Sequence, residues 1–398
     1  MSNSYSEHLF ILGRNKALSI AEIKAVASWA CKGGFESYET ECGDLVVQHQ
    51  LSSKEIVEVF RRLGGSIKIA EILAETFDIT SLLTEKVKKF GVSPYICRNE
   101  RDDQLTDLAK KLRKNIKEHA KHIGKRVRYI GKGTGALSSG QITATELLEE
   151  GFELILYKNV DGTLKLARTL AVQDLEEFTL RDMEKPYTNI EMGVLPPKLA
   201  RIMVNLAGLK PGSTIWDPFC GSGSIVIESL LLGYDVIGSD IDPEAVEGTQ
   251  KNIEWLSKQY DLGDVRYKLL EQDVTKISRW FQKTLRNTDI NAVVFEPYMG
   301  PAVRREISLK YANELLDGVN GLYKAILDVL GRIRKPGLRL VSVFPVYKSH
   351  KGWVTLRYSE VFPSRWKIFS VASEQEVLHW ERSNSIIRRN LLVARLKH

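Results

Sequence analysis

The segment 213–242, with the sequence STIWDPFCGSGSIVIESLLLGYDVIGSDID, constrains the fold of this chain most strongly. An apolar strand ends at Asp217, a turn containing Gly221 and Gly223 follows, and an apolar helical run leads to a second strand ending at Asp240. Glycines in such a turn let the backbone approach a ligand closely, and the helix N-terminus offers unpaired N–H groups. The segment therefore predicts an α/β domain with a nucleotide-type ligand site.

Acidic residues at this site indicate the charge of the ligand. Asp217 stands directly before the glycine turn, where it would repel a pyrophosphate, and Val226 replaces the third glycine of a dinucleotide-binding turn. Asp240 can accept hydrogen bonds from both ribose hydroxyl groups. Asp273, which follows a third predicted strand, can accept one from an adenine amino group. This pattern favours S-adenosylmethionine, whose ammonium and sulfonium groups are cationic.

At these residues the chain resembles class I S-adenosylmethionine-dependent methyltransferases. The turn DPFCGSGS is close to the DPxCGSGT-type turn of RNA and DNA amino-methyltransferases. The resemblance implies a Rossmann-like catalytic domain with a seven-stranded mixed sheet, S-adenosyl-L-methionine as methyl donor, and no metal. The residues that it assigns to the donor site are Asp217, Phe219, Gly221, Gly223, Asp240 and Asp273.

Further motifs extend the resemblance over most of the chain. RDMEKP at 181–186, MGVLPPKLARIMVNLAG at 192–208, ALSSGQ at 136–141 and the opening LFILGRNKALSIAEI are similar to THUMP-containing tRNA guanosine-N2 methyltransferases of archaea and eukaryotes. This resemblance implies that the chain binds tRNA and methylates the exocyclic N2 amine of a guanosine. It also brings in a small activator subunit as a candidate partner, because some eukaryotic relatives require one.

The sequence departs from that family at the end of the fourth catalytic strand. There the family has an acid or amide followed by Pro-Pro-Tyr, which orients the exocyclic amine and stacks on the flipped base. This chain has DINAVVFEPYMGP at 289–301. In one alignment Glu296 takes the acid position and Met299 replaces the aromatic residue. In another, Tyr298 is the aromatic residue and Phe295 occupies the acid position.

A third alignment shortens the motif by one residue, so that Glu296, Pro297 and Tyr298 fill its three positions. The first and third alignments are favoured, because the apolar run 293–295 completes the strand and leaves Glu296 at its carboxyl end. We therefore expect Glu296, Pro297 and Tyr298 to be the catalytic residues.

A basic stretch covers residues 110–132, where Glu118 is the only acidic residue. It begins on a predicted amphipathic helix over 102–123 and continues into a loop of small residues whose N–H groups suit phosphate oxygens. A solvated helix face also fits this composition, but the loop favours a polyanion partner. The residues that the resemblance places along RNA phosphates are Lys110, Lys114, Lys117, Lys121, Lys125, Arg126, Arg128 and Lys132.

The rest of the composition narrows the class of protein. A net charge of +7 permits a nucleic-acid partner without requiring one. Four dispersed cysteines without a CxxC pair argue against a zinc site and a disulfide framework. Arg388 and Arg389 are interpreted as solvated surface. The sequence has neither a membrane-length apolar run nor a signal-peptide pattern, which predicts a cytoplasmic protein without a membrane partner.

The length of 398 residues suits two or three domains. A β-α-β-β-α-β rhythm near the start predicts a ferredoxin-like unit. The predicted boundaries are an N-terminal ferredoxin-like domain at 1–90, a THUMP RNA-binding domain at 91–172, a linker at 173–197 and a Rossmann-like methyltransferase domain at 198–398. Two other functions are compatible with the motifs: a non-catalytic, S-adenosylmethionine-binding RNA-binding protein and a DNA amino-methyltransferase.

Overall fold

A computed structural model describes residues 5–97, 100–131, 133, 135–189, 193–301, 305–333, 335–369, 378–381 and 385–397. It divides the chain into two compact units. Unit 1 comprises Met1–Lys16 and Ala30–Glu177, and unit 2 comprises Ala17–Trp29 and Phe178–His398. The residues between Lys16 and Ala30, which the sequence placed in the N-terminal domain, therefore group with unit 2.

The strands of unit 1 form one sheet. They are β1 (Ser6–Leu12), β2 (Glu36–Glu39), β3 (Leu45–His49), β4 (Ser66–Ile72), β5 (Lys89–Pro94), β6 (Arg128–Ile130), β7 (Gly151–Lys158) and β8 (Leu164–Val172). Their order is β2-β3-β1-β4-β8-β7-β5-β6. The first four are antiparallel neighbours, which is the pairing expected for the predicted ferredoxin-like rhythm.

The first part of the chain has four helices among its described residues, and the third matches the amphipathic helix predicted over 102–123. They are α1 (Lys16–Ala30), α2 (Ser53–Arg61), α3 (Asp103–His122) and α4 (Ser139–Ala144), with a 3₁₀ turn at Ile79–Leu82. Helix α3 begins where the Asp102 carboxylate accepts the Leu105 N–H at 2.9 Å. Its apolar stripe, which includes Leu112 and Ile116, is buried in a cluster with residues of β5 and β7. The basic side of α3 consequently stays exposed.

Unit 1 contains a disulfide that the sequence did not predict. Cys42 and Cys97 are bonded, with their Cα atoms 4.9 Å apart, and 55 residues separate them in the chain. The expectation that these cysteines form no disulfide was therefore wrong. Spacing patterns report only local pairs, whereas this pair is brought together by the tertiary fold. Cys31 and Cys220 are free and buried.

A buried ion pair lies inside the sheet of unit 1. The Lys68 ammonium group donates to the Glu153 carboxylate at 2.6 Å, and both side chains are fully buried. Glu153 also accepts hydrogen bonds from the hydroxyl groups of Ser93 and Thr169. Burial lowers the pKa of Lys68, and Glu153 opposes that shift. The two charges therefore depend on each other, and on the two hydroxyl groups, for the stabilisation that water would otherwise supply.

Unit 2 is built around a mixed sheet. Its strands are β9 (Thr214–Asp217), β10 (Asp235–Asp240), β11 (Tyr267–Glu271), β12 (Ile290–Phe295), β13 (Arg339–Ser349), β14 (Gly352–Thr355), β15 (Trp366–Phe369), β16 (Leu378–Trp380) and β17 (Ile387–Leu396). The order is β11-β10-β9-β12-β13-β17-β15, with β14 paired to β13 and β16 to β17. Strands β9 to β13 are parallel, and β17 runs antiparallel to them. The predicted Rossmann-like fold is confirmed, with two short strands added to the expected seven.

Helices cover both faces of this sheet. They are α5 (Leu175–Met183), α6 (Pro197–Leu206), α7 (Ser224–Leu231), α8 (Pro243–Gln259), α9 (Arg279–Asn287), α10 (Leu309–Ile333) and α11 (Tyr358–Val361). Val293 and Phe295 of β12 pack into an apolar cluster with α9 and α10. Ala292 and Val294 pack into another cluster with α1 and α6. This alternation holds β12, and the loop that follows it, between two apolar layers.

The predicted linker 173–197 contains helix α5. Arg181 of this helix is only 3% exposed, and its guanidinium group donates to the Glu228 carboxylate at 2.7 Å. Arg201 donates to the other oxygen of Glu228 at 2.5 Å. The prolines of the segment indicated a linker, but they lie beyond the end of α5 and leave the helix intact. Among the described residues, no helix is long and apolar enough to cross a membrane.

We predict that Lys68→Met lowers the free energy of unfolding of the protein by about 3–5 kcal/mol, because it leaves the Glu153 carboxylate buried without a counter-ion. Urea unfolding followed by circular dichroism measures this change. Lys88→Met is the matched control, since Lys88 pairs with Glu150 on the surface and should leave the unfolding midpoint unchanged. Equal destabilisation by the two variants would contradict the stabilising role of the buried pair.

Candidate active site

A cavity of about 420 Å³ opens at the carboxyl ends of the parallel strands of unit 2. Because these strands are parallel, β9, β10 and β12 deliver the residues at their ends to the same edge of the sheet. The acidic residues that line the cavity are Asp217, Asp240, Asp242, Asp273 and Glu296. Its described lining residues include neither lysine nor arginine. The cavity therefore suits a ligand with positive charge.

The glycine turn forms one wall of the cavity. Gly221 and Gly223 have φ angles of +52° and +80°, a conformation that residues with a side chain rarely adopt. A Cβ atom on Gly223 would lie 2.8 Å from the Thr249 side chain of α8. The Thr249 hydroxyl donates to the Gly221 carbonyl at 2.8 Å. Glycine is thus required at Gly223 both for the turn and for the close approach of α8.

Asp240 is held at the end of β10 by the turn itself. Its Oδ2 accepts the Gly221 N–H at 2.8 Å, and its Oδ1 accepts the Asp242 N–H at 3.1 Å. The side chain is almost fully buried, and this burial raises the pKa of Asp240. Each carboxylate oxygen retains a lone pair, so the group can still accept hydrogen bonds from a ligand.

Asp217 lies beneath the turn and is 1% exposed. Its Oδ1 accepts the Phe219 N–H at 3.1 Å. Burial raises the pKa of Asp217 well above its usual value, and the charges of Asp240 and Glu296 add to the shift. A cation in the cavity would reverse this effect, because it stabilises the ionised carboxylate.

Phe219 and Asp273 complete the residues predicted for the donor site. Both line the cavity. Phe219 also packs against Phe295, with ring centroids 5.3 Å apart. The Oδ1 of Asp273 accepts the N–H and hydroxyl hydrogens of Thr275 at 2.8 and 2.6 Å. Five of the six predicted donor-site residues therefore line the cavity, and the sixth, Gly223, is the N-cap of helix α7 in the turn that forms the cavity wall.

The three predicted catalytic residues line the same cavity. Glu296 follows the last residue of β12, and Pro297 and Tyr298 come next, with Tyr298 50% exposed. Met299 packs against the apolar core, and its carbonyl accepts the Tyr347 hydroxyl hydrogen at 2.5 Å. The exposed ring of the loop is thus Tyr298, which is the arrangement of the shortened motif.

Phe295 lies away from the cavity. It is fully buried and contacts the rings of Phe219 and Tyr323, with centroids 5.3 and 5.5 Å apart. An alignment that gives Phe295 the acid position would require it to face the ligand, so this geometry favours the alignments that use Glu296.

Glu296 has a partner that the sequence analysis missed. The Arg389 Nε donates to its Oε1 at 2.6 Å, and both side chains are 15% exposed. The interpretation of Arg389 as solvated surface was therefore wrong. These two residues are 93 positions apart, and β17 must return beside β13 before they can meet. A basic residue in a C-terminal strand gives no local signal of such a contact.

Residues of the predicted linker also line the cavity. Tyr187, Asn189, Gly193 and Leu195 line the cavity, and residues 190–192 lie outside the described part of the chain. The Tyr187 N–H donates to the Asn252 side-chain oxygen at 2.8 Å, and the Asn252 amide donates back to the Tyr187 carbonyl at 2.9 Å. These bonds fix the segment onto α8. The sequence analysis did not predict this role, because the proline and acidic residues of the segment are typical of a linker.

The predicted RNA-binding residues lie in unit 1. Lys110, Lys114, Lys117 and Lys121 are exposed along α3, and Arg126 and Arg128 are exposed after it. Lys110 and Lys114 have acidic neighbours, Asp107 and Glu118, on the same helix. Lys125 is half-buried and donates to the Thr84 carbonyl. Lys132 lies outside the described residues, as does Arg304 near the catalytic loop.

Residues 187–264, which include the glycine turn and the acids of β9 and β10, match the family UPF0020, described as an RMKL-like methyltransferase domain. This segment is a methyltransferase domain. A tRNA (guanine(10)-N2)-dimethyltransferase of Methanothermobacter thermautotrophicus is 36% identical over 176 residues, which cover 44% of this chain and 48% of the relative. The enzyme of the same name from Methanocaldococcus jannaschii is 33% identical over 162 residues, 40% of this chain and 44% of that protein.

The crystal structure of TrmN from Thermus thermophilus aligns with 99% of this chain and 100% of its own, with a TM-score of 0.49 and 15% identity. The predicted resemblance to tRNA guanine-N2 methyltransferases is confirmed by the sequence relatives. The chain matches about half the length of those relatives.

The cavity fits the methyl donor of such a domain. S-adenosylmethionine carries a sulfonium and an ammonium group, and both require nearby negative charge once water is excluded. The five acidic lining residues provide it, and the buried Asp217 lacks a cationic partner among the described lining residues. The residues that would hold the donor are those of the glycine turn together with Asp217, Asp240 and Asp273.

We predict that Asp240→Ala weakens S-adenosylmethionine binding by about 1–3 kcal/mol, because hydrogen bonds from a ligand to a charged group are lost. Isothermal titration calorimetry of the purified chain measures the affinity. Asp235→Ala is the control: Asp235 begins the same strand and pairs with Arg266 at the opposite end from the cavity. Unchanged affinity of the Asp240 variant would remove the ribose assignment.

Proposed function

We propose that the chain is an S-adenosylmethionine-dependent tRNA methyltransferase that methylates the exocyclic N2 amine of a guanosine. The observation that supports this most directly is the placement of Glu296, Pro297 and Tyr298 on the rim of an acid-lined cavity, beside the glycine turn. The relatives reported above are named as methyltransferases of guanine N2. The motif of this chain has the hydrogen-bond acceptor and the aromatic ring that an amine substrate on a base needs.

The protein's part in the reaction is mainly orientation. The Glu296 carboxylate accepts one N–H of the guanine amine, and the Pro297 carbonyl can accept the other, so that the nitrogen lone pair points into the cavity. The Tyr298 ring is exposed and can stack on a flipped base. The bound donor supplies a methyl carbon activated by the positive sulfur. Holding the two reactants in line accounts for much of the rate enhancement in such reactions.

As the nitrogen forms its bond to carbon, it becomes cationic and must lose a proton. Glu296 is the acidic residue of the catalytic triplet and touches the amine in this arrangement, so its carboxylate stabilises the developing charge. The proton then passes to Glu296 or to water at the open rim. The carbon–sulfur bond breaks as the carbon–nitrogen bond forms, and the thioether leaves with the bonding electron pair.

The basic side of α3 is proposed to contact the RNA. Lys117 and Lys121 are exposed there, and neither forms an ion pair with another described residue, whereas Lys110 and Lys114 do. Lysine side chains neutralise phosphates and release counter-ions, which gives salt-dependent affinity.

The domain boundaries predicted from the sequence, with a THUMP domain at 91–172, are part of this proposal. So is a cytoplasmic location of the protein. A small activator subunit belongs to the same proposal.

The test is transfer of labelled methyl groups from S-adenosylmethionine to unmodified total tRNA, followed by mass spectrometry of nucleosides. We predict labelled N2-methylguanosine with the unmodified chain, and a loss of turnover of about 100-fold or more with Glu296→Ala, because the amine loses its acceptor. Donor binding should survive in this variant. Glu381→Ala is the control, since Glu381 also pairs with an arginine of β17, Arg388.

Donor binding without methyl transfer to tRNA would instead support the binding-only function. Transfer to duplex DNA in place of tRNA would support the DNA amino-methyltransferase. Full turnover by the Glu296 variant would contradict the orienting role of that residue while leaving the reaction itself intact.

A further inference from the structure

Arg389 is a charged residue whose side chain is mostly buried. It projects from β17, beside the catalytic loop, and is only 15% exposed. Its guanidinium group contacts Glu296 on one side and lies over the Trp380 ring on another, 5.3 Å from the ring centroid. Burying a guanidinium group is costly unless it is paired. Here the partner is the predicted catalytic carboxylate.

The backbone around Arg389 is fixed on both sides. Arg389 is opposite Pro345 of β13 and opposite Trp380 of β16 in the sheet register. Its side chain therefore starts from a strand that is hydrogen-bonded to two neighbours, which restricts where the guanidinium group can move. By contrast, Glu296 sits in a loop after β12, and its longer side chain has more rotatable bonds than the aspartate or asparagine of the family motif.

The contact between the two side chains is asymmetric. Arg389 Nε donates to Glu296 Oε1 at 2.6 Å, whereas the distance from its Nη2 to Oε2 is 3.5 Å. One oxygen is thus held firmly, and the other keeps most of its capacity to accept a hydrogen bond. Glu296 lines the cavity, so a ligand there can reach its carboxylate, and Oε2 is the oxygen with more acceptor capacity left.

Arg389 also balances charge at this point. Glu296 shares the cavity with four other acidic residues, and its charge contributes to the raised pKa of Asp217. The Arg389 guanidinium group is cationic and contacts the Glu296 carboxylate, so it offsets negative charge at this side of the cavity.

We propose that Arg389 is a positioning residue for methyl transfer: it clamps Oε1 of Glu296 so that Oε2 accepts the N–H of the substrate amine. The clamp lets a glutamate serve where the family has a shorter acid or amide. This inference rests on the proposed function and adds a residue from the C-terminal strand to its active site. Arg389 acts through Glu296 and does not touch the substrate.

The test compares Arg389→Met with Arg388→Met in steady-state methyl transfer to tRNA. Arg388 is the neighbouring arginine of β17; it also pairs with a glutamate, Glu381, and lies over a tryptophan ring, that of Trp353, 4.2 Å from its centroid, but it is more exposed than Arg389. For Arg389→Met we predict a fall in kcat of about 100-fold, with KM for tRNA and the affinity for S-adenosylmethionine changed by less than about threefold. Arg388→Met should change kcat by less than about threefold.

Two further variants separate positioning from folding. Arg389→Lys keeps the charge but loses the fork of N–H groups, so it should restore part of the lost kcat. In a Glu296→Ala background, Arg389→Met should reduce kcat by less than about threefold, because the group that it positions has already been removed. Donor binding reports that each variant is folded.

The outcomes distinguish the inference from the proposed function. No transfer by the unmodified chain overturns the proposed function and the inference with it. Transfer by the unmodified chain, with equal kcat for the Arg389 and Arg388 variants, overturns the inference alone. Additive losses in the Glu296→Ala background, or a loss of donor binding that accounts for the fall in kcat, also overturn it.

Discussion

The burial of carboxyl groups at one edge of the sheet in unit 2 is the constraint on which the site depends. Parallel strands β9 and β10 end in Asp217 and Asp240, and both carboxyls are buried with raised pKa values. Apolar clusters pack on both faces of the sheet beneath these residues. A cation in the cavity stabilises the ionised carboxylates and offsets the cost of burying them, so the site favours a cationic ligand.

Backbone N–H groups and a single arginine keep this arrangement stable before a ligand binds. Asp240 accepts two backbone hydrogen bonds and Asp217 accepts one, which is how charge is held in many ligand sites at the ends of strands. Glu296 is different, because its partner Arg389 is a side chain from a distant strand. The donor side of the cavity is thus organised by local turns, and the substrate side by tertiary structure.

This difference explains how much the sequence could predict. The strand, glycine turn and second acid lie within one short segment, so their spacing alone placed Asp217 and Asp240 together. The apolar stripe of α3 was visible for the same reason. The contact of Arg389 with Glu296 spans 93 residues and the Cys42–Cys97 bond spans 55, and no local pattern reports either. Helix α5 was missed because its burial depends on Glu228.

The most direct test of the acid-lined site is the pH dependence of ligand affinity. Because burial raises the pKa values of Asp217 and Asp240, these groups take up protons as the pH falls, and their attraction for a cation is then lost. Calorimetry at about pH 8 and about pH 5.5 should show S-adenosylmethionine losing more affinity than S-adenosylhomocysteine, which lacks the sulfonium charge. Equal losses for the two ligands, or none, would contradict the account.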